Sequence, residues 1–123
     1  MSSSLELAEK NCDEILKIFA SISTQNLPLN EREEMKKRVI RIQTLLAEAK
    51  KKVLMKTQKG KQLAQQSYID IENFQRSIQK ISRESDNNRV VKVLDTVSKQ
   101  LTKVEDDIDK IVTFWKSYEM VIT

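Results

Sequence analysis

Val90, Leu94, Val97, Leu101, Val104, Ile108, Ile111, Trp115, Tyr118 and Ile122 recur at alternating spacings of four and three, and none of the ten is charged. The spacing averages 3.5 residues, the period at which one helix keeps a single face against another. This stretch therefore reads as a helix that must be covered by other helices. One glycine and one proline among 123 residues leave few of the turn formers that sheets and loop-rich folds need. The fold class is all-α, and the length suits one domain with a modest core, 1–123, or a fragment of a longer helical chain.

Two more helical segments precede the seam. In the first, about 4–24, Leu5, Ala8, Cys12, Ile15, Phe19 and Ile22 repeat at three- and four-residue steps, with Ser4 as N-cap. Pro28 then breaks the pattern, since it disfavours helix at Leu27 and donates no hydrogen bond. Asn30 and Glu33 read as a capping box for the second segment. That segment runs from Glu31 to Ser85, 31–85, with Gly60 as its single interruption. Its stripe keeps phase through Val39, Ile42, Leu46, Val53, Ala64, Ile71 and Ile78, and Lys61 and Gln62 offer no cap for a new helix. Continuity is the expectation. The third helix, 88–123, starts after Asp86 with Asn87 or Asn88 as cap and carries the seam.

Folded about residue 87, the third helix lies antiparallel on the second and pairs Ile111 with Leu63 and Trp115 with Gly60. Thr57, Gly60, Ala64 and Ser67 are small there, so bulk faces small. Folded about residue 27, the first helix lies along the other half of the second. The expected form is an antiparallel helical hairpin or coiled-coil rod of three helices. A break at Gly60 gives a four-helix bundle instead.

Chemistry-bearing residues are few. The absence of histidine removes the commonest general base and metal ligand. A single glycine excludes a phosphate-cradling loop, and Glu105, Asp106, Asp107 and Asp109 point in different directions around a helix. The reading is non-enzymatic, with no catalytic residue, cofactor or metal, and with these acids on a solvated face. Cys12 lies on the first seam as a small buried hydrophobe.

The net charge of +4 is unevenly spread: residues 31–61 carry eleven Lys/Arg against four Asp/Glu. Lys50, Lys51, Lys52, Lys56, Lys59 and Lys61 are candidates for binding an anionic surface. Their stems can also simply cover apolar flanks. Aromatics do not alternate with them, which argues against base stacking and sequence-specific nucleic acid. The opening residues lack a signal peptide's basic flank and apolar centre, so a cytoplasmic location is expected, with secretion by an uncleaved route left open.

Near the end, Ile111, Val112, Phe114, Trp115, Tyr118, Met120, Val121 and Ile122 point almost all round the helix. Such a helix meets a core, a partner or a membrane. Ile111, Phe114, Trp115, Tyr118, Met120, Val121 and Ile122 are the candidate partner-binding residues, the partner being helices of this or another protein. The stretch Val104-Glu105-Asp106-Asp107-Ile108-Asp109-Lys110-Ile111-Val112-Thr113-Phe114-Trp115-Lys116, with the long glycine-poor helices, resembles rods of the cytolysin-A-type α-helical pore-forming toxins. That resemblance implies a helical rod acting at membranes. The expected function is a helical interaction or scaffold module, the alternative a membrane- or anionic-surface-associated helical protein.

Overall fold

Four α-helices and one short 3₁₀ turn make up this computed structural model, which describes residues 3–122, with side chains as far as Glu119. Helix α1 spans Ser4–Ser21, α2 Leu29–Lys50, α3 Gln58–Arg83 and α4 Asn87–Ile122, and the 3₁₀ turn covers Val53–Lys56. The all-α class holds. The single helix expected over 31–85 does not form, because the chain leaves helical geometry between Lys51 and Thr57.

The reason for the break is local. Lys52 and Thr57 are both extended, and the Thr57 hydroxyl accepts the Gly60 N–H at 3.2 Å, which makes Thr57 the N-cap of α3. The stop is not at Gly60 itself: α2 already ends at Lys50, and Gly60 sits inside the first turn of α3. What Gly60 supplies is clearance. A Cβ there would lie 2.5 Å from Met55 Cα and 2.6 Å from the Leu54 carbonyl oxygen, so the 3₁₀ turn can cross α3 only over a glycine. Val53, expected on the apolar stripe through the break, is 79% exposed.

Other boundaries shift for equally local reasons. Ser3, not Ser4, caps α1 by accepting the Glu6 N–H at 3.2 Å. That helix stops at Ser21, and Ser23 to Leu27 form the turn. The Asn30–Glu33 capping box is not made, since α2 begins at Leu29 behind Pro28 with no side-chain cap. Asp86 opens α4, its carboxylate accepting the Asn88 N–H at 2.9 Å.

The break lets α3 fold back beside α1. Asn26, just after α1, donates to the carbonyls of Ile81 and Glu84 at the far end of α3, at 2.7 and 2.8 Å, so α1 and α3 run the same way. Arg38 pairs with Glu105, and Lys52 with Glu119, so α2 and α4 run together in the opposite sense. Helix α1 packs on α2 and α3; α4 packs on α3 and, over a shorter stretch, on α2. The first and last helices thus lie at opposite corners of a bundle, not end to end on a rod. The α2–α3 connection must cross the end of that bundle, and the 3₁₀ turn does so.

The antiparallel register expected for the last two helices does hold. Lys103 Nζ lies 3.4 Å from Asp70 Oδ1, within a residue of the fold-back about position 87. Of the seam, Val90, Val97, Leu101, Val104, Ile108, Ile111 and Trp115 are buried, while Leu94 is half-buried and Tyr118 exposed. They meet Phe19, Ile42, Leu46, Phe74 and Ile78 in one continuous core. Each large side chain buried here contributes roughly 1.5–3 kcal/mol by area, and Cys12 is part of that core.

Candidate functional site: the lysine-lined crossover end

The crossover gathers the lysine block at one end of the bundle, together with the start of α1 and the last turns of α4. Lys50 closes α2, Lys51 and Lys52 bridge to the 3₁₀ turn, Lys56 ends it, and Lys59 and Lys61 lie in the first turn of α3. The six are spread over two helix ends and the link between them, so the break converts a run into a cluster around a corner.

Two of the six are tied down. Lys50 Nζ lies 2.9 Å from Glu9 Oε1, and Lys52 Nζ lies 2.8 Å from Glu119 Oε1. Contact with those carboxylates, a hydrogen bond in the case of Lys52, raises both ammonium pKa values, so both remain charged. Lys52 also stands 5.6 Å from the centroid of the Trp115 ring, a cation–π contact. Lys51, Lys56, Lys59 and Lys61 are exposed, and none forms an ion pair among the described residues.

Between the start of α1, the 3₁₀ turn and the start of α3 lies a cleft of about 500 Å³. Leu5, Met55 and Ala64 form its apolar part, and Lys50, Lys52, Lys56 and Lys61 line it. Ser3, Ser4, Glu6 and Gln65 complete the lining, so one carboxylate stands among four ammonium groups. A smaller cleft of about 320 Å³ lies across the turn, between Val53 and Leu54 on one side and Trp115 and Tyr118 on the other.

The candidate partner-binding residues divide. Ile111 and Trp115 are buried at 1% and 2% exposure and are used up in the chain's own core. Phe114 is half-buried and lines a groove of about 470 Å³ with Leu63 between α3 and α4. Tyr118 is 52% exposed. The side chains of Met120, Val121 and Ile122 lie outside the described residues.

Two features were missed by reading runs of residues. A second basic groove, of about 630 Å³, collects Arg76, Lys80, Arg83, Arg89 and Lys92 at the opposite end of the bundle, between the end of α3 and the start of α4. These cations are scattered over two helices and a turn, so no run announces them. The other is the pair Asp70 and Asp107, at 4% and 5% exposure. Asp107 is not on a solvated face, as the acidic stretch suggested. Its Oδ2 is buried and meets no donor among the described residues, so it is best satisfied by carrying a proton of its own. Protonated, Asp107 hydrogen-bonds Asp70 across the α3–α4 seam, where Gln66 Nε2 donates to Asp70 Oδ2 at 3.1 Å. Burial first, then the Asp70 carboxylate, raise the Asp107 pKa to about 7. Asp70 goes down, because the hydrogen bonds from Asp107 and Gln66 and the charge of Lys103 outweigh its burial. The signal was available: Asp107 stands three residues after Val104 and four before Ile111, both on the seam.

Comparison of the chain with protein-family models, curated proteins and solved structures returns no match. Among the described residues no group of three or more potential ligands could hold a metal ion, and no helix is long and apolar enough to cross a membrane.

Proposed function

We propose that this chain is a non-enzymatic helical interaction module that docks its crossover end onto an anionic membrane surface. The observation that carries this reading is a group of four unpaired lysines in and next to the crossover, which also carries an exposed apolar residue. Lys51, Lys56, Lys59 and Lys61, without ion pairs among the described residues, lie within or next to the turn whose Val53 is 79% exposed. Tyr118 adds an amphipathic ring at the same end. Each lysine near an anionic leaflet contributes about 1 kcal/mol, and the attraction fades within a Debye length. A shallow apolar contact supplies the part of the binding that salt does not screen. The chain would lie on such a surface, not span it.

Flotation with phosphatidylserine-containing and pure phosphatidylcholine vesicles over a salt series tests the reading. Binding to the anionic vesicles alone, weakened by salt and lost when Lys51, Lys56, Lys59 and Lys61 are changed together to Gln, supports it. Absence of binding to anionic vesicles at low salt refutes it, and capture by polyglutamate without vesicle binding would assign the lysines to an acidic protein instead.

A second reading, association with another helix, is favoured by one observation. The Leu63–Phe114 groove leaves a half-buried aromatic open between two helices. Sedimentation of the wild type and Phe114→Ser tests self-association: a concentration-dependent dimer lost in the variant supports it, and a monomer throughout rejects it.

A further inference from the structure

The solvent-facing seam between α3 and α4 carries more positive charge than its own acids absorb. In the antiparallel register that sets Lys103 beside Asp70, Lys110 stands opposite Leu63, Phe114 opposite Lys59, Lys92 opposite Lys80 and Arg89 opposite Arg83. The Leu63–Phe114 groove and the basic groove at the far end are therefore two stretches of one channel. At the helical rise per residue it runs about 36 Å from Lys59 to Arg83. Lys59, Lys80, Arg83, Lys92 and Lys110 are exposed along it, and none forms an ion pair among the described residues. The acids in its lining are engaged elsewhere: Asp109 lies 3.7 Å from Arg41, and Glu84 accepts the Asp86 N–H at 3.1 Å. Leu63, Val93 and Phe114 are half-buried and form its apolar floor. Lys80 and Arg83 also offset the negative end of α3, but Arg89 stands in the first turn of α4, where a cation opposes the helix dipole.

We propose, resting on the helix-association reading above, that this channel seats an acidic amphipathic helix of another protein. A channel between two antiparallel helices is straight and concave, and a third helix packs into it ridge into groove. The incoming helix lays its apolar stripe on Leu63, Phe114 and Val93. Its Asp and Glu flanks reach Lys59, Lys80 and Arg83 on the α3 rim and Lys92 and Lys110 on the α4 rim. A bilayer is flat and would touch the rims alone. A phosphodiester strand would leave the apolar floor uncovered and would find one aromatic, Phe114, to stack on. A second copy of the chain is a poor occupant. Its acidic helix is α1, whose apolar stripe of Leu5, Ala8, Cys12, Ile15 and Phe19 is already buried in its own core.

Amide chemical-shift titration of the full chain tests the assignment with four probes, the peptides kept below their own self-association. They are a peptide of about 25 residues with a leucine stripe at helical spacing and Glu flanks, its Gln-flanked counterpart, polyglutamate and an oligothymidylate. The Glu-flanked peptide is expected to shift Leu63, Lys80, Lys92 and Phe114 together and to bind about ten-fold more tightly than the Gln-flanked one. Changing Lys80, Arg83 and Lys92 together to Gln is expected to weaken it about ten-fold. Changing Lys51, Lys56 and Lys61 to Gln is expected to leave it unaltered, and an equal loss there overturns the channel. Equal affinity for the two leucine-striped peptides overturns the acidic partner and leaves helix association standing, as do shifts confined to the Leu63–Phe114 end. Polyglutamate or the oligothymidylate binding as tightly as the Glu-flanked peptide overturns the helical seat. No saturable shift from either striped peptide overturns the channel, and helix association then stands or falls by the Phe114-dependent dimer.

Discussion

Replacing Asp107 with Asn should make the bundle more stable at neutral and alkaline pH while changing little in mild acid. Asp107 and Asp70 sit in the α3–α4 seam at 5% and 4% exposure, where two full charges cannot be solvated. The groups that face them are Gln66 on α3 and Lys103 and Lys110 on α4. With the Asp107 pKa raised from 3.8 to about 7, the folded chain keeps a proton that the unfolded chain releases near pH 4. Between those values the folded state binds more protons, so stability falls as pH rises. The contribution is full below pH 4 and is lost by about pH 7. One pKa unit corresponds to about 1.4 kcal/mol, so the raised value corresponds to roughly 4 kcal/mol across the window. Relaxation of the seam lowers the realised figure to about 2–4 kcal/mol.

Asn copies the protonated acid: its amide can donate to the Asp70 carboxylate and carries no charge. Urea unfolding followed by far-UV circular dichroism at pH 5, 6, 7 and 8 measures the effect. The wild type should lose stability across this series and the variant should not, leaving the variant about 2–4 kcal/mol the more stable at pH 8. No histidine titrates in the chain to mask the slope. A flat wild-type profile, or a variant less stable than wild type at pH 8, would refute the shared-proton argument.

Gly60→Ala, a change that stabilises most helices, should destabilise this chain by about 1–3 kcal/mol, because the new Cβ would meet the 3₁₀ backbone at 2.5 Å; a raised thermal midpoint would contradict the crossover geometry. Asn26→Ala removes two hydrogen bonds to the carbonyls at the end of α3 and should cost about 2–3 kcal/mol in urea unfolding. Cys12, 1% exposed and with its thiol pushed up to about 12 chiefly by burial, should react with a thiol reagent only as fast as the chain unfolds. Rapid labelling at neutral pH in the absence of denaturant would count against that burial.

The all-α class and most of the core were legible because helix periodicity is a local property. The seam from Val90 to Trp115 and the stripe from Leu5 to Phe19 are buried as their spacing requires, Leu94 alone being only half so. The antiparallel register of α3 and α4 followed from a short turn. The lysine cluster was visible as composition, though not as a cleft. The break before Gly60 was harder to read, since Thr57 is an ordinary residue inside a helix until the chain turns there.

What the sequence determined by itself was which faces are apolar and where the basic charge concentrates, because both depend on residues a few positions apart. Only the tertiary structure decided where those faces go. The crossover of residues 51–57 places α3 beside α1, while the fold-back of α4 puts Asp107 against Asp70. The same crossover brings four lysines around Leu5, Met55 and Ala64. Each of these meetings joins residues distant in the chain, and burial and charge act through space, where sequence spacing alone carries no distance.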